Sequence, residues 1–125
     1  MSERSVAYVI HERDGSRIAE LTASDVALSS SQDILDIIGD LWGYEADALI
    51  LHESSVAPAF FDLSTGLAGE ILQKCTNYGL RFALVGDFGQ YASESLQAFI
   101  RESNRGGRIR FVSTIDEALE ALAVE

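Results

Sequence analysis

The sequence predicts an α/β domain built on a mixed, mostly parallel sheet of about five strands with four helices. Three observations carry that reading. Asp47 to Leu51 and Leu80 to Val85 are short, nearly continuous apolar runs, as expected of strands buried on both faces. Segments with apolar residues at helical spacing lie between and after them. Near the start, Asp14-Gly15 separates two alternating segments, the signature of an antiparallel hairpin.

In chain order, Ser5 to Ile10 alternates with a period of two and reads as a strand, His11 to Ser16 as a turn, and Arg17 to Leu21 as the second strand. Ser29 or Ser30 can cap a first helix, because Gln32 and Asp33 follow at capping distance. Ile34, Leu35, Ile37, Ile38, Leu41 and Trp42 then recur at helical spacing, with Gly43 as a stop. Leu67, Ile71, Leu72, Cys75 and Tyr78 share one face of a second helix, which places Cys75 in the core. Ala92, Leu96, Phe99 and Ile100 form a third stripe, and Ile109 to Val112 a short strand. Thr114 and Glu117 make a capping box for a last helix carrying Ile115, Ala118, Leu119 and Leu122. The order β-β-α-β-α-β-α-β-α requires parallel neighbours joined by right-handed crossovers.

At 125 residues the chain has the length of one domain, here taken as residues 1–125. Its 20 acids against 9 bases give a net charge of −11, which repels phosphate backbones and argues against a general nucleic-acid binder. The excess is local: residues 1–73 hold 13 acids and 3 bases, residues 74–125 hold 7 and 6. Arg101, Arg105, Arg108 and Arg110 fall within ten residues, so one anion-binding or partner-binding patch is compatible with the acidic whole, as are four solvated arginines around a turn. One cysteine precludes an internal disulfide and fits a cytoplasmic location. No export signal or spanning apolar segment is evident, so no membrane association is expected.

Sites in parallel sheets gather beyond the carboxyl ends of the strands. Those ends bring forward His52-Glu53, then Asp62, Ser64, Thr65 and Gly66, then Asp87, and last Ser113-Thr114. Two hydroxyls and a glycine at a helix start can hold an anion on free backbone N–H groups, or can simply cap the helix. The lysine and spacing of a P-loop are missing. Asp62, Asp87, Asn104 and Arg105 form a candidate pocket, Arg105 offering a planar fork for a carboxylate or phosphate. Asn104 equally suits a helix C-terminus. His52 has no paired histidine or cysteine at metal-ligand spacing, so no metal and no cofactor is expected, and His11 is expected to be remote. Ser64, His52 and Asp87 can be written as a Ser–His–Asp set, but no G-x-S-x-G elbow accompanies them.

Phe60-Phe61-Asp62-Leu63, Thr65-Gly66-Leu67-Ala68-Gly69-Glu70-Ile71-Leu72-Gln73-Lys74, Asn77-Tyr78, Gly86-Asp87-Phe88 and Phe99 to Gly106 resemble the bacterial family known as domain of unknown function 4180, over about Val6 to Leu122. More distantly, the element order is similar to the STAS fold of anti-sigma-factor antagonists. Their Asp-Ser-x-Gly-Leu motif aligns with Leu63-Ser64-Thr65-Gly66-Leu67, with Leu63 in the Asp position and Asp62 one residue early. That resemblance implies a phosphoacceptor hydroxyl at Thr65 or Ser64. It also implies a cytoplasmic regulatory or protein-interaction module without catalysis, acting on a protein partner. The alternative is a small-molecule or anion-binding protein, or a small enzyme, with its site at the carboxyl ends of the strands. A homodimer is the commonest assembly and is expected on that ground alone.

Overall fold

In the computed structural model, which describes residues 6–23 and 25–123, alternation within the strands sorts the side chains onto two faces of one sheet. Five strands form it: β1 (Val6–Arg13), β2 (Ser16–Ala23), β3 (Ala48–His52), β4 (Arg81–Val85) and β5 (Ile109–Val112). Their spatial order is β1-β2-β3-β4-β5, with β1 antiparallel to β2 and all later neighbours parallel. The expected mixed α/β sheet with four helices is therefore present. Asp14 (φ 51°) and Gly15 (φ 86°) take the left-handed conformations of a two-residue hairpin turn, so both strands run longer than the alternation alone implied. Ser5, the expected start of the first strand, lies outside the described residues.

The helices are α1 (Ser31–Tyr44), α2 (Leu67–Asn77), α3 (Glu94–Asn104) and α4 (Ile115–Leu122). Ser30 caps α1 by accepting from Asp33 N at 3.2 Å, and Asp33 in turn accepts from Ser29 N and Oγ. Gly43 does not end α1. Glu45 does so instead, in a left-handed conformation (φ 57°), by donating its N–H to the Leu41 and Trp42 carbonyls. The Thr114–Glu117 box holds α4: Thr114 Oγ1 accepts from Glu117 N, and Glu117 Oε1 accepts from Ser113 N.

Leu49, Leu51, Phe82, Leu84, Ile109 and Phe111 point to one face and pack in the main core with residues of α1, α2 and α3 and with Phe60 and Phe61 of the β3–α2 connection. Ile18, Ala48, Ile50 and Ala83 point to the other and pack under Ala118, Leu119 and Leu122 of α4. Consecutive strands joined in one direction put three crossover helices on the same face, and only α4 returns to cover the second. Cys75 is fully buried, and burial pushes its thiol up to about 12 despite the nearby Arg108, so it remains a small apolar core group. Among the described residues no helix is long and apolar enough to cross a membrane.

Candidate functional site

The segments leaving β3 and β4 shape the carboxyl edge of the sheet. The Glu53 side chain crosses to the β4 end, where Oε1 accepts from Asp87 N at 3.1 Å. Oε2 accepts from Gln90 Nε2 at 3.2 Å and from the Tyr91 hydroxyl. The crossing requires Gly86: a Cβ there would stand 2.4 Å from Glu53 Oε1 and 2.6 Å from Glu53 Cβ. Gln97 of α3 steadies the 88–91 turn by donating to Phe88 O at 2.7 Å and Tyr91 O at 3.0 Å. Partial burial, then the bond to Glu53 and the charges of Glu53 and Asp87, hold the Tyr91 proton well above the ordinary phenol value.

Tyr91 stacks on Phe61, ring centroids 5.0 Å apart at 18°. These rings, Pro58, Val56 and Val26 wall a cleft of about 410 Å³ that has Glu53 in its lining. Such a volume falls in the lower range of ligand sites. Every donor bound to the Glu53 carboxylate is neutral, and no cation lies within ion-pair distance of it among the described residues. A carboxylate offers about four acceptor positions, so three bonds leave roughly one open, on Oε1. Chemically, the cleft suits a single-point cationic donor on an apolar stem.

The residues singled out in the sequence are distributed differently. Asp62 Oδ1 accepts from Ser64 N at 3.1 Å and Ser64 Oγ at 2.6 Å, a closed local turn. Those two bonds hold the Asp62 carboxyl below its ordinary value. Thr65 Oγ1 shares its proton between Ala59 O (2.7 Å) and Asp62 O (2.9 Å) and accepts from Leu67 N (3.2 Å). Gly66 has φ 79° with open space around its Cα, so its role is the left-handed step into α2. Asp87 is exposed beside the cleft and contributes its N–H to Glu53.

Asn104 and Arg105 lie at the opposite edge. Helix α3 starts at the carboxyl end of β4 and runs back to the amino end of β5, carrying them with it. Asn104 brackets Phe111, donating to its O at 3.2 Å and accepting from its N at 2.8 Å. The structure thus does not unite Asp62, Asp87, Asn104 and Arg105 in one pocket, nor bring the arginines to Thr65. Arg105 and Arg108 stand on the turn before β5, whereas Arg110 projects on the α4 side of that strand, in register with Ala83. Ser64, His52 and Asp87 likewise form no triad, since His52 Nε2 is hydrogen bonded to Glu20.

The family described as domain of unknown function (DUF4180) matches residues 13–122, a span that includes the whole of this cleft. The chain belongs to that family. No curated protein matches the sequence.

This DUF4180 domain holds a second polar cluster that the sequence did not disclose. His11 Nε2–H donates to Glu20 Oε1 at 2.9 Å and His52 Nε2–H to Oε2 at 2.8 Å, so His11 is not remote. The strand register explains it: Glu20 lies opposite Val9 and Ile50, placing His11 and His52 one diagonal away on the same face. Burial pushes the Glu20 carboxyl up, but the bonds from His52 and His11 and their charges outweigh it and leave it below 4.5. A depressed carboxylate contributes stability that is present above its ordinary value and lost as pH falls through the lower folded value. Wild type should therefore lose more of its urea midpoint between about pH 5 and pH 3 than Glu20→Gln does. Parallel pH profiles for the two proteins would exclude that role. Among the described residues no group of three or more His, Cys, Asp or Glu side chains is arranged to hold a metal ion.

Proposed function

We propose that this DUF4180 domain is a non-catalytic cytoplasmic regulatory or protein-interaction module of STAS-like architecture, and that its carboxyl-edge cleft captures a lysine side chain of a protein partner. The observation that supports this most is Glu53, a half-buried carboxylate bonded only to neutral donors in the lining of an apolar-walled cleft. One of the three ammonium N–H groups can fill the open position on Oε1 while the others face solvent, and the aliphatic stem suits the Phe61 and Tyr91 rings. An anion at the same place would meet Glu53 and Asp87, so the lysine reading is favoured over anion binding.

The regulatory half of the proposal rests on Thr65. Its hydroxyl holds Ala59 O, within the turn Pro58–Phe61 that supplies one wall of the cleft. A phosphoryl group on Thr65 would remove the donated proton and bring about −1.5 to −2 charges beside Asp62. The turn would loosen and the cleft with it.

The test is a nuclear magnetic resonance titration with acetyl-Ala-Lys-Ala-amide, with acetyl-Ala-Glu-Ala-amide and inorganic phosphate as comparisons. The lysine peptide should shift the Asp87 amide and Gln90 side-chain amide signals saturably. Glu53→Gln should abolish the effect, and Thr65→Asp should weaken it while Thr65→Ser preserves it. Equal response to the glutamate peptide, preferential response to phosphate, or no response at all would overturn the lysine assignment.

A further inference from the structure

The amino edge of the sheet carries a charge gradient that the carboxyl-edge cleft does not use. Because the strands lie in sequence order, the segments entering them stand in a row: the Asp14-Gly15 turn, residues 45–47 before β3, residues 78–80 before β4, and residues 105–108 before β5. At one end Asp14, Glu45 and Asp47 are exposed. The neighbouring Arg17 guanidinium is committed to Glu12 and the Tyr44 carbonyl, and exposed Arg13 stands against Asp14, Glu45 and Asp47, so that end is acidic on balance. At the other end Arg105 and Arg108 are exposed, and neither has an ion-pair partner among the described residues.

Between the two ends stand the aromatic side chains least covered by the fold. Trp42 is 66% exposed and Tyr78 50% exposed, with ring centroids 5.9 Å apart at 63°. They border a cleft of about 600 Å³ that runs from Asp14 and Asp47 to Leu80 and Arg81. Arg81 is itself held, donating to Leu122 O at 2.6 Å. Acid, aromatic pair and base thus follow one another along an edge about 19 Å long, four strand spacings of about 4.8 Å.

A surface with acid at one end, base at the other and an apolar centre is complementary to itself under a twofold rotation. We infer that two copies of this chain associate amino edge to amino edge. Arg105 and Arg108 of each copy meet Asp14 and Glu45 of the other, and the Trp42–Tyr78 pairs cover one another across the axis. The contact is isologous, so both copies use the whole surface and assembly stops at the dimer. Each copy carries a net charge of −11, which opposes association in general, and setting arginine against acid offsets that repulsion in this orientation. The carboxyl-edge clefts face away from the contact, so the dimer stands or falls independently of the lysine reading.

Sedimentation equilibrium of the full chain, with Trp42 fluorescence followed on dilution, tests this directly, since Trp42 is the sole tryptophan. The expected result is a monomer–dimer equilibrium with a red shift of Trp42 emission as the dimer dissociates. Arg105→Glu/Arg108→Glu should weaken self-association by about a hundredfold or more, and Asp14→Lys/Glu45→Lys likewise, because each places like charges face to face. Mixing the two variants should restore association, since every contact then pairs opposite charges. A monomeric wild type at millimolar concentration, a dimer indifferent to both variants, or a mixture that stays monomeric would overturn the proposal.

Discussion

Phe60→Ala should cost about 3–5 kcal/mol of stability, a large share of the 5–15 kcal/mol typical of such a domain. Phe60 is fully buried although it stands in a 3-10 turn between β3 and α2. Its ring meets Phe61 edge-on at 5.2 Å, and Phe61 continues to Tyr91 and to Phe88. Phe88 meets Phe111, which meets Phe99 of α3. One line of aromatic contacts therefore runs from the cleft wall into the core, and removing Phe60 leaves a cavity at its root. Urea denaturation should show a lower midpoint at similar slope, and the lysine peptide should bind more weakly. A loss under about 1 kcal/mol would mean that the turn collapses to fill the space.

The second large effect is expected at Gly86. Its backbone is not in the left-handed region, so alanine would meet no conformational penalty there. The obstacle is steric. The Glu53 carboxylate can swing away from a new methyl group, but Glu53 Cβ, 2.6 Å from it, is tied to the backbone leaving β3. Overpacking of this kind costs about 1–3 kcal/mol, and the displaced carboxylate would release Asp87 N, Gln90 and Tyr91. Gly39 of α1 and Gly69 of α2 provide the contrast: a Cβ at either meets nothing within 4 Å. Alanine at those two helical positions should stabilise by about 0.4–1 kcal/mol. Chemical denaturation of the three variants checks both signs. A Gly86→Ala protein as stable as wild type, with peptide binding intact, would show that Glu53 is not wedged as described.

The elements themselves were legible because their signals are local. The runs Asp47 to Leu51 and Leu80 to Val85 are apolar at consecutive positions, as burial on both faces demands, and they became central strands. Asp14-Gly15 and the caps Ser30 and Thr114 are short-range devices whose partners lie within a few residues. The helix at Leu67 was equally legible, but its hydroxyl-rich start was ambiguous. Ser64 and Thr65 satisfy Asp62, Ala59 and Leu67, all of them local neighbours. A turn that closes on itself and one that awaits a ligand draw on the same residue types.

Glu53 and Asp87 stood out as strand-end residues, but the site they share with Gln90 and Tyr91 was hidden for the opposite reason. Glu53 binds groups 34 to 38 residues away, and Glu20 joins histidines 9 and 32 residues away. Neither set is written as a spacing in the chain. Each follows from which strand ends are neighbours and from a pairing register that no single segment reveals. The same applies to Arg105 and Thr65. Both are chemically suited to an anion, yet a helix that must run back along the sheet carries one of them to the far edge.

By itself, then, the sequence determined the strands, the helices, the caps Ser30 and Thr114 and the mixed parallel architecture, because periodicity and turn chemistry act between near neighbours. Tertiary structure alone decided that Glu53, Tyr91 and Phe61 share a cleft, that Glu20 holds two histidines, and that acid and arginine lie at opposite ends of one edge. Those are long-range juxtapositions, and they come into being only when the strands settle into order and register.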